Sequence, residues 1–158
     1  FPIKIELIIS NNVKAYGLKY AKKYNIPFKY YCSDDQNYFE RYCLVELRRR
    51  KIKFLCLAGF MKILSKNFIR NFGYNIVNIH PSLLPKFKGL ETHKRVLKNK
   101  EKYTGCTVHY VVPKLDSGNI ILQKKILIEK NETENSLKEK VLKQEHKLYS
   151  QAIRSVFK

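Results

Sequence analysis

One stretch of the sequence, NIVNIHPSLLP from Asn75 to Pro85, indicates the fold most directly. Residues Asn75–Ile79 are mostly apolar and β-branched, which is typical of a buried strand. The prolines that follow lack a backbone N–H and predict a loop. Three similar strands precede this one, at Ile3–Ile9, Ile26–Tyr31 and Lys53–Leu57. Helical segments separate the strands, at Ala15–Tyr24, from Asp34 or Asp35 to about Arg50, and at Ser65–Phe72. This alternation predicts β-α-β units, and therefore an α/β fold with a mostly parallel sheet flanked by helices.

The second half of the chain follows a different pattern. We predict a helix over Thr92–Asn99, then strands over Thr104–Val112 and Asn119–Ile128, joined by the turn PKLDSG at residues 113–118. A long C-terminal helix is predicted to begin at Thr133 or Asn135. No repeat or low-complexity linker divides the sequence, so we expect residues 1–158 to form a single domain.

The composition narrows the class of protein. The chain has 158 residues and a formal net charge of +19, and 44% of its residues are hydrophobic, which is too many for a disordered polyelectrolyte. It has no apolar run of about 18 residues, so we expect no membrane-spanning helix. The four cysteines form no CxxC pair, which favours a reducing cytoplasm over a disulfide framework. The excess of positive charge comes mainly from scattered lysines. Both a coding bias toward AT-rich codons and the attraction of small anionic substrates account for such an excess, so we expect no specific nucleic acid partner.

Three polar positions are candidates for chemistry. Asn78 and His80 are two residues apart at a strand end, so their side chains project to the same side, where open α/β sheets bind ligands. Asp116 lies in a turn, and Glu145 falls on the apolar stripe of the last helix. Each also has a structural explanation: a capped strand end, a turn aspartate bonded to its own backbone, or a glutamate at the helix edge. The histidine and cysteine spacing matches no metal motif, so no metal is expected.

The segment NIHPSLLPKFKGLETH, from Asn78 to His93, resembles the folate-dependent formyltransferases. Further matches to the same family lie in chain order at residues 57–64, 105–112, 115–118 and 144–146. The string LETH at residues 90–93 favours the branch that acts on glycinamide ribonucleotide. The resemblance implies a Rossmann-like single-domain fold. It also implies formyl transfer from 10-formyltetrahydrofolate to the amine of glycinamide ribonucleotide in de novo purine synthesis.

The resemblance also implies the site residues. Asn78 and a protonated His80 would stabilise the oxyanion, and Asp116 would keep His80 charged and relay a proton. The implied folate-binding residues are Phe60, Met61, Lys62, Ile63, Leu64, Val111, Val112, Leu115 and Asp116. The implied ribonucleotide-binding residues are Gly59, Pro81, Gly89, Thr107, His109 and Glu145. Lys62 replaces the arginine usual in the family, and the Leu84–Pro85 bond corresponds to one that is cis in the family.

One departure from the family pattern lies at the start of the chain. The family's first strand and its glycine-rich phosphate-binding turn have no counterpart in this sequence, which begins at Phe1. Either the given sequence is a fragment of a longer protein, or the chain is naturally short. In the second case we expect weak binding of the ribonucleotide phosphate, and sheet pairing restored by a shifted strand or by a homodimer. Two alternative functions stay open: a folate-binding protein with little or no transferase activity, and a formyltetrahydrofolate hydrolase.

Overall fold

The computed structural model describes residues 3–157, which form six strands and five α-helices. The strands are β1 (Ile8–Ser10), β2 (Phe28–Tyr30), β3 (Phe54–Leu57), β4 (Asn75–His80), β5 (Tyr103–Tyr110) and β6 (Ile120–Leu127). The helices are α1 (Tyr16–Lys23), α2 (Gln36–Arg49), α3 (Lys66–Phe72), α4 (Thr92–Lys98) and α5 (Glu134–Val156). These residues divide into two compact units: the residues up to Phe54 with Leu64–Tyr74, and Leu55–Ile63 with Asn75 onward.

The first unit contains a parallel β1–β2 pair and helices α1, α2 and α3. Its helices begin where the side chains predict: Asp35 accepts a hydrogen bond from the Asn37 amide, and Ser65 accepts one from the Phe68 amide. Glu40 is buried in α2, and its carboxylate accepts hydrogen bonds from both the amide and the hydroxyl of Ser65. A carboxylate at the start of α3 also suits the positive end of the helix dipole, so Glu40 joins the two helices.

The four-stranded sheet has the order β3-β4-β5-β6, and β5 runs antiparallel to both of its neighbours. The predicted α/β class is confirmed, but the sheet is mixed rather than mostly parallel. The reason is the route of residues 81–102: His80, at the end of β4, lies opposite Thr107, so the connection leaves and returns at the same end of the sheet. A helix lies in this connection, yet it does not carry the chain to the opposite end, as a parallel crossover would.

The second unit is held together by the packing of α5 against β5 and β6. Helix α5 begins with a capping box between Thr133 and Ser136, which confirms the first of its two predicted starts. Its apolar stripe meets the sheet in one core, formed by Val96, Cys106, Val108, Ile126, Leu137, Val141, Leu148 and Ala152. Cys106 and Val108 thus face this core, which leaves the alternate residues of β5 to the other face of the sheet.

Some predicted boundaries differ from the structure. The strand predicted at Ile3–Ile9 is observed at Ile8–Ser10, where its partner β2 is itself only three residues long. Residues of an apolar run form a strand only where a neighbouring strand pairs with them. The length of β1 is therefore set by the three residues of β2. In the part of the chain that the structure describes, no helix combines the length and apolar character needed to cross a bilayer.

Candidate active site

The site begins at the paired ends of β4 and β5. In the antiparallel register, Asn78 lies opposite His109, and His80 lies opposite Thr107. Side chains directly opposite each other point to the same face of a sheet, as do side chains two residues apart on one strand. All four side chains therefore share the face of the sheet opposite the α5 core. Asn78 is partly exposed there, whereas the other three residues are buried.

Two contacts fix the imidazole of His80. Its Nε2 lies 2.9 Å from the carbonyl oxygen of Phe87, in the loop that follows β4. A carbonyl can only accept, so Nε2 carries a hydrogen, and Nδ1 is the nitrogen that can gain or lose a proton. Nδ1 lies 3.4 Å from Oδ2 of Asp116, and both side chains are only 7% exposed. If Nδ1 is protonated, the pair is a buried imidazolium and carboxylate.

The Asp116 carboxylate is held by the loop after β4. The backbone amide of Gly89 donates to Asp116 Oδ2 over 2.8 Å, and Oδ1 lies 3.7 Å from Nε2 of His109. Asp116 itself adopts a left-handed conformation with φ of 43°, which is uncommon for a residue other than glycine. The turn at residues 113–118 thus holds a strained backbone that aims its carboxylate at His80.

His109 presents only one titrating nitrogen to the site. Its Nδ1 donates to the carbonyl of Tyr110 over 2.9 Å, so Nε2 faces Asp116. Burial lowers the pKa of His109 below its ordinary value, while the Tyr110 carbonyl and the Asp116 carboxylate oppose that shift. Near pH 7 His109 is therefore a neutral neighbour of the carboxylate.

The predicted ribonucleotide residues fall into different environments. Gly89, with φ of 77°, contributes its amide to Asp116 as described, and Gly59 also has a left-handed φ of 63°. The hydroxyl of Thr107 is fully buried; it donates to the Ser82 carbonyl and accepts from the Leu84 amide and from Gln123. This placement gives the Thr107 side chain a structural role in holding the loop after β4, in which the Leu84–Pro85 bond is cis.

Pro81 and Glu145 are partly buried. Burial raises the pKa of Glu145 on α5 above its ordinary value, as expected for a carboxyl group on an apolar stripe. Among the described residues, no hydrogen bond or ion pair joins Glu145 to the His80–Asp116 pair.

The predicted folate residues lie mostly at the surface. Met61 is 74% exposed and Ile63 58% exposed in the segment after β3, while Phe60 and Lys62 are partly buried. Val112 and Leu115 are exposed in the loop after β5, where the Val111 amide donates to the carbonyl of Ile76. Leu64 differs from these residues because it is buried and belongs to the first unit.

Some residues that build the site were not predicted from the sequence. Phe87 supplies a main-chain carbonyl, and Arg95 on α4 donates to the carbonyls of Lys88 and Leu90. A main-chain acceptor has no sequence signature. The available signal was the position of this loop, which lies after the two prolines at 81 and 85 and before α4. Within residues 3–157, no cluster of three or more His, Cys, Asp or Glu side chains could hold a metal ion.

Comparisons with known proteins identify the family to which the chain belongs. The family described as formyl transferase matches residues 2–153. A phosphoribosylglycinamide formyltransferase from Escherichia coli (strain K12) is 34% identical over 148 residues, which cover 92% of this chain and 70% of the relative. The trifunctional purine biosynthetic protein adenosine-3 from Homo sapiens is 36% identical over 97% of this chain, which spans only 15% of that protein. The crystal structure of the Anaplasma phagocytophilum phosphoribosylglycinamide formyltransferase superposes with a TM-score of 0.90 at 38% identity, covering 95% of this chain and 72% of that one.

Proposed function

Because this chain belongs to the formyl transferase family, we propose that it transfers the formyl group of 10-formyltetrahydrofolate to the amine of glycinamide ribonucleotide. The names of the relatives agree with the branch predicted from the sequence. The observation that carries the proposal is the buried His80–Asp116 pair, with His80 Nε2 bonded to Phe87 and the Asn78 amide on the same face. This arrangement offers two hydrogen-bond donors and one carboxylate to a single reacting centre.

The first chemical step is attack of the substrate amine on the formyl carbon. A carbon–nitrogen bond forms, and the formyl oxygen takes up the electron pair as an oxyanion. The side-chain N–H of Asn78 and the Nδ1–H of His80 are the donors that stabilise this charge. The 3.4 Å separation between Nδ1 and Asp116 is longer than a direct hydrogen bond, so this N–H is not fully engaged by the carboxylate and can donate to an oxyanion beside it.

The second step returns the electron pair and breaks the bond between the formyl carbon and the folate nitrogen. The attacking amine loses one proton, and the departing nitrogen of tetrahydrofolate gains one, so the transfer is balanced. Asp116 accepts and returns that proton, through a water molecule, while its charge stabilises the imidazolium of His80. Buried charges of this kind are favourable only when they are paired, which the Gly89 amide and His80 together achieve.

The substrates would occupy two sides of this centre. We assign the folate to the part of the predicted set that lies in the second unit: Phe60, Met61, Lys62, Ile63, Val111, Val112, Leu115 and Asp116. The exposed apolar side chains of Met61, Ile63 and Leu115 suit a planar ring. We assign the ribonucleotide to Gly59, Pro81, Gly89, His109 and Glu145, and give Thr107 a supporting role. The proposal also includes a cytoplasmic location, a Rossmann-like fold and no metal requirement. We also propose that the chain forms a homodimer, which the mass of the chain in solution tests.

The test is formyl transfer by the chain and its variants. We expect His80→Ala and Asp116→Asn each to lower kcat by roughly 10²–10⁴ with little change in folate affinity. The double variant should lose far less than the product of the two losses, because the residues act as a unit. The exposed Asp34→Asn is the matched control and should retain full activity. Strictly multiplicative losses, or a large loss of folate binding, would contradict these roles.

The same assay separates the two alternatives. Release of formate from 10-formyltetrahydrofolate without an amine acceptor would favour the hydrolase. Folate binding without turnover in either assay would favour the folate-binding protein with little transferase activity.

A further inference from the structure

Lys88 makes a half-buried contact that the proposed mechanism does not use. Its ammonium group donates to the hydroxyl of Ser117 over 2.5 Å, and that hydroxyl donates in turn to the carbonyl of Leu115 over 2.8 Å. Ser117 follows Asp116 directly, and Leu115 precedes it. The Lys88 side chain therefore contacts the residue after the proposed proton-relay carboxylate, and the hydroxyl of that residue is bonded to the residue before it.

Three consecutive residues of the loop after β4 each give one group to the site. Phe87 gives its carbonyl to His80, Lys88 its ammonium to Ser117, and Gly89 its amide to Asp116. The loop itself is anchored from α4, because Arg95 donates to the Lys88 carbonyl over 2.6 Å and lies 5.6 Å from the centre of the Phe87 ring. Residues 87–89 are thus anchored to α4, and two of them hydrogen-bond to the turn at 113–118.

Apart from the hydrogen bond between the Gly89 amide and Asp116, the first half of the turn has few contacts that hold it in position. Leu115 is 41% exposed, Pro113 and Lys114 are exposed, and Asp116 has the strained φ of 43°. Apolar burial therefore contributes little to the first half of the turn. The separation of 3.4 Å between His80 and Asp116 is too long for a hydrogen bond that would pull the carboxylate into place.

We propose that Lys88 is a positioning residue whose ammonium group, through Ser117, fastens the 115–118 turn to the loop at 87–89 and thereby sets the position of Asp116. Its effect on turnover rests on the function proposed above, whereas its effect on the turn does not. Lysine is suited to this role because its flexible stem can bring a compact cation to a hydroxyl between two loops.

A purely electrostatic role for the Lys88 charge makes a different prediction. The charge would act on Asp116 whether or not Ser117 accepts the hydrogen bond, so Ser117→Ala would leave activity intact. The proposed Lys88–Ser117 clamp, meaning the hydrogen bond between these two side chains, needs both partners. Truncating Lys88 and truncating Ser117 should therefore have the same effect. Lys88→Arg retains charge and donors and should restore most of the function, whereas Lys88→Met retains only the stem.

The experiment compares Lys88→Met, Lys88→Arg, Ser117→Ala and the Lys88→Met/Ser117→Ala double variant by steady-state kinetics. We expect kcat to fall about 10-fold in Lys88→Met and in Ser117→Ala with KM changed by less than about threefold, because the carboxylate is misplaced while the binding residues stay. The double variant should be no worse than either single one. The control is Lys86→Met, from the same loop, where the ammonium group pairs with Glu101 at the surface over 3.0 Å. It should stay within about twofold of the parent.

A second readout does not depend on activity. The Gly89 amide is hydrogen-bonded to Asp116, so its exchange with solvent deuterium reports whether the turn stays in place. We expect exchange about 10-fold faster in Lys88→Met and Ser117→Ala, and unchanged in Lys86→Met. If the parent chain transfers no formyl group, the proposed function fails, and this exchange still tests the clamp. Unchanged Gly89 exchange in Lys88→Met, or loss of activity in Lys88→Met but not in Ser117→Ala, would overturn the proposal.

Discussion

Gly118 closes the turn that carries Asp116, and replacing it by alanine should damage both stability and catalysis. A Cβ atom at this position would lie 1.8 Å from the carbonyl oxygen of Tyr110 and 2.7 Å from its carbonyl carbon. Both clashing atoms belong to the backbone of the neighbouring strand, so no side-chain rotation relieves them. Ordinary contact begins near 3.4 Å, which means that the two backbones must separate by about 1.6 Å.

The expected losses follow from that displacement. Forcing extra volume into a packed site costs roughly 1–3 kcal/mol, and the adjacent bond from the Tyr110 amide to the Asn119 carbonyl contributes about 1 kcal/mol more. We therefore expect Gly118→Ala to lower the free energy of unfolding by about 2–4 kcal/mol. Asp116 is two residues away and holds the Gly89 amide at 2.8 Å, so the shift should also reduce kcat by about 10².

Urea unfolding followed by circular dichroism, together with formyl-transfer kinetics under conditions where the variant is folded, measures both effects. The control is Gly17→Ala in α1, where an added Cβ meets no atom within 4 Å. Alanine is the better helix former, so this control should gain about 0.5–1 kcal/mol. The reasoning fails if Gly118→Ala unfolds within about 0.5 kcal/mol of the parent and keeps kcat within about threefold.

Two further predictions concern buried polar groups. Burial raises the pKa of Glu145 above its ordinary value. Below the ordinary glutamate pKa of about 4.3, this group should not affect the stability of the chain. As the pH rises through the raised value, the free energy of unfolding should decrease. Glu145→Gln should therefore have a higher Tm than the parent at pH 7.5 but not at pH 4, while it weakens ribonucleotide binding; equal Tm differences at both pH values would contradict this. Thr107→Val should cost about 2–3 kcal/mol in the unfolding free energy because the Leu84 amide and the Ser82 carbonyl lose their partner, and Thr107→Ser, which keeps the hydroxyl, should cost less than half of that.

The elements whose limits follow from local chemistry were the ones that could be predicted from the sequence. Helices α2, α3 and α5 begin after Asp35, Ser65 and Thr133, because each of these side chains accepts a hydrogen bond from an amide of its own first turn. The direction of β5 depends instead on where a connection of some twenty residues returns, and no local signal encodes that. A helix between two strands favours parallel pairing in general, yet β5, which follows α4, pairs antiparallel with β4.

The candidate site shows the same division between side chains and main chain. The spacing of Asn78 and His80 placed both side chains on one face, and the register of β4 with β5 agrees. Phe87 and Lys88 were not predicted, since one acts through a carbonyl and the other through a contact 29 residues away in sequence. Such contacts are decided by how two loops meet, which a single sequence does not specify.

Strand β5 explains why burial alone would not have found the site. Residues 104–109 are all buried, because this strand has β4 on one side, β6 on the other and α5 against one face. The usual alternation of apolar and polar exposure is therefore absent, and only residue type distinguishes the two faces. Cys106 and Val108 face the core, while Thr107 and His109 face the opposite side, where the Thr107 hydroxyl and the His109 Nδ1 are hydrogen-bonded. Polar residues at alternate positions of a wholly buried strand are costly in a core, so their presence indicates a face built to hold a loop and the His80–Asp116 pair.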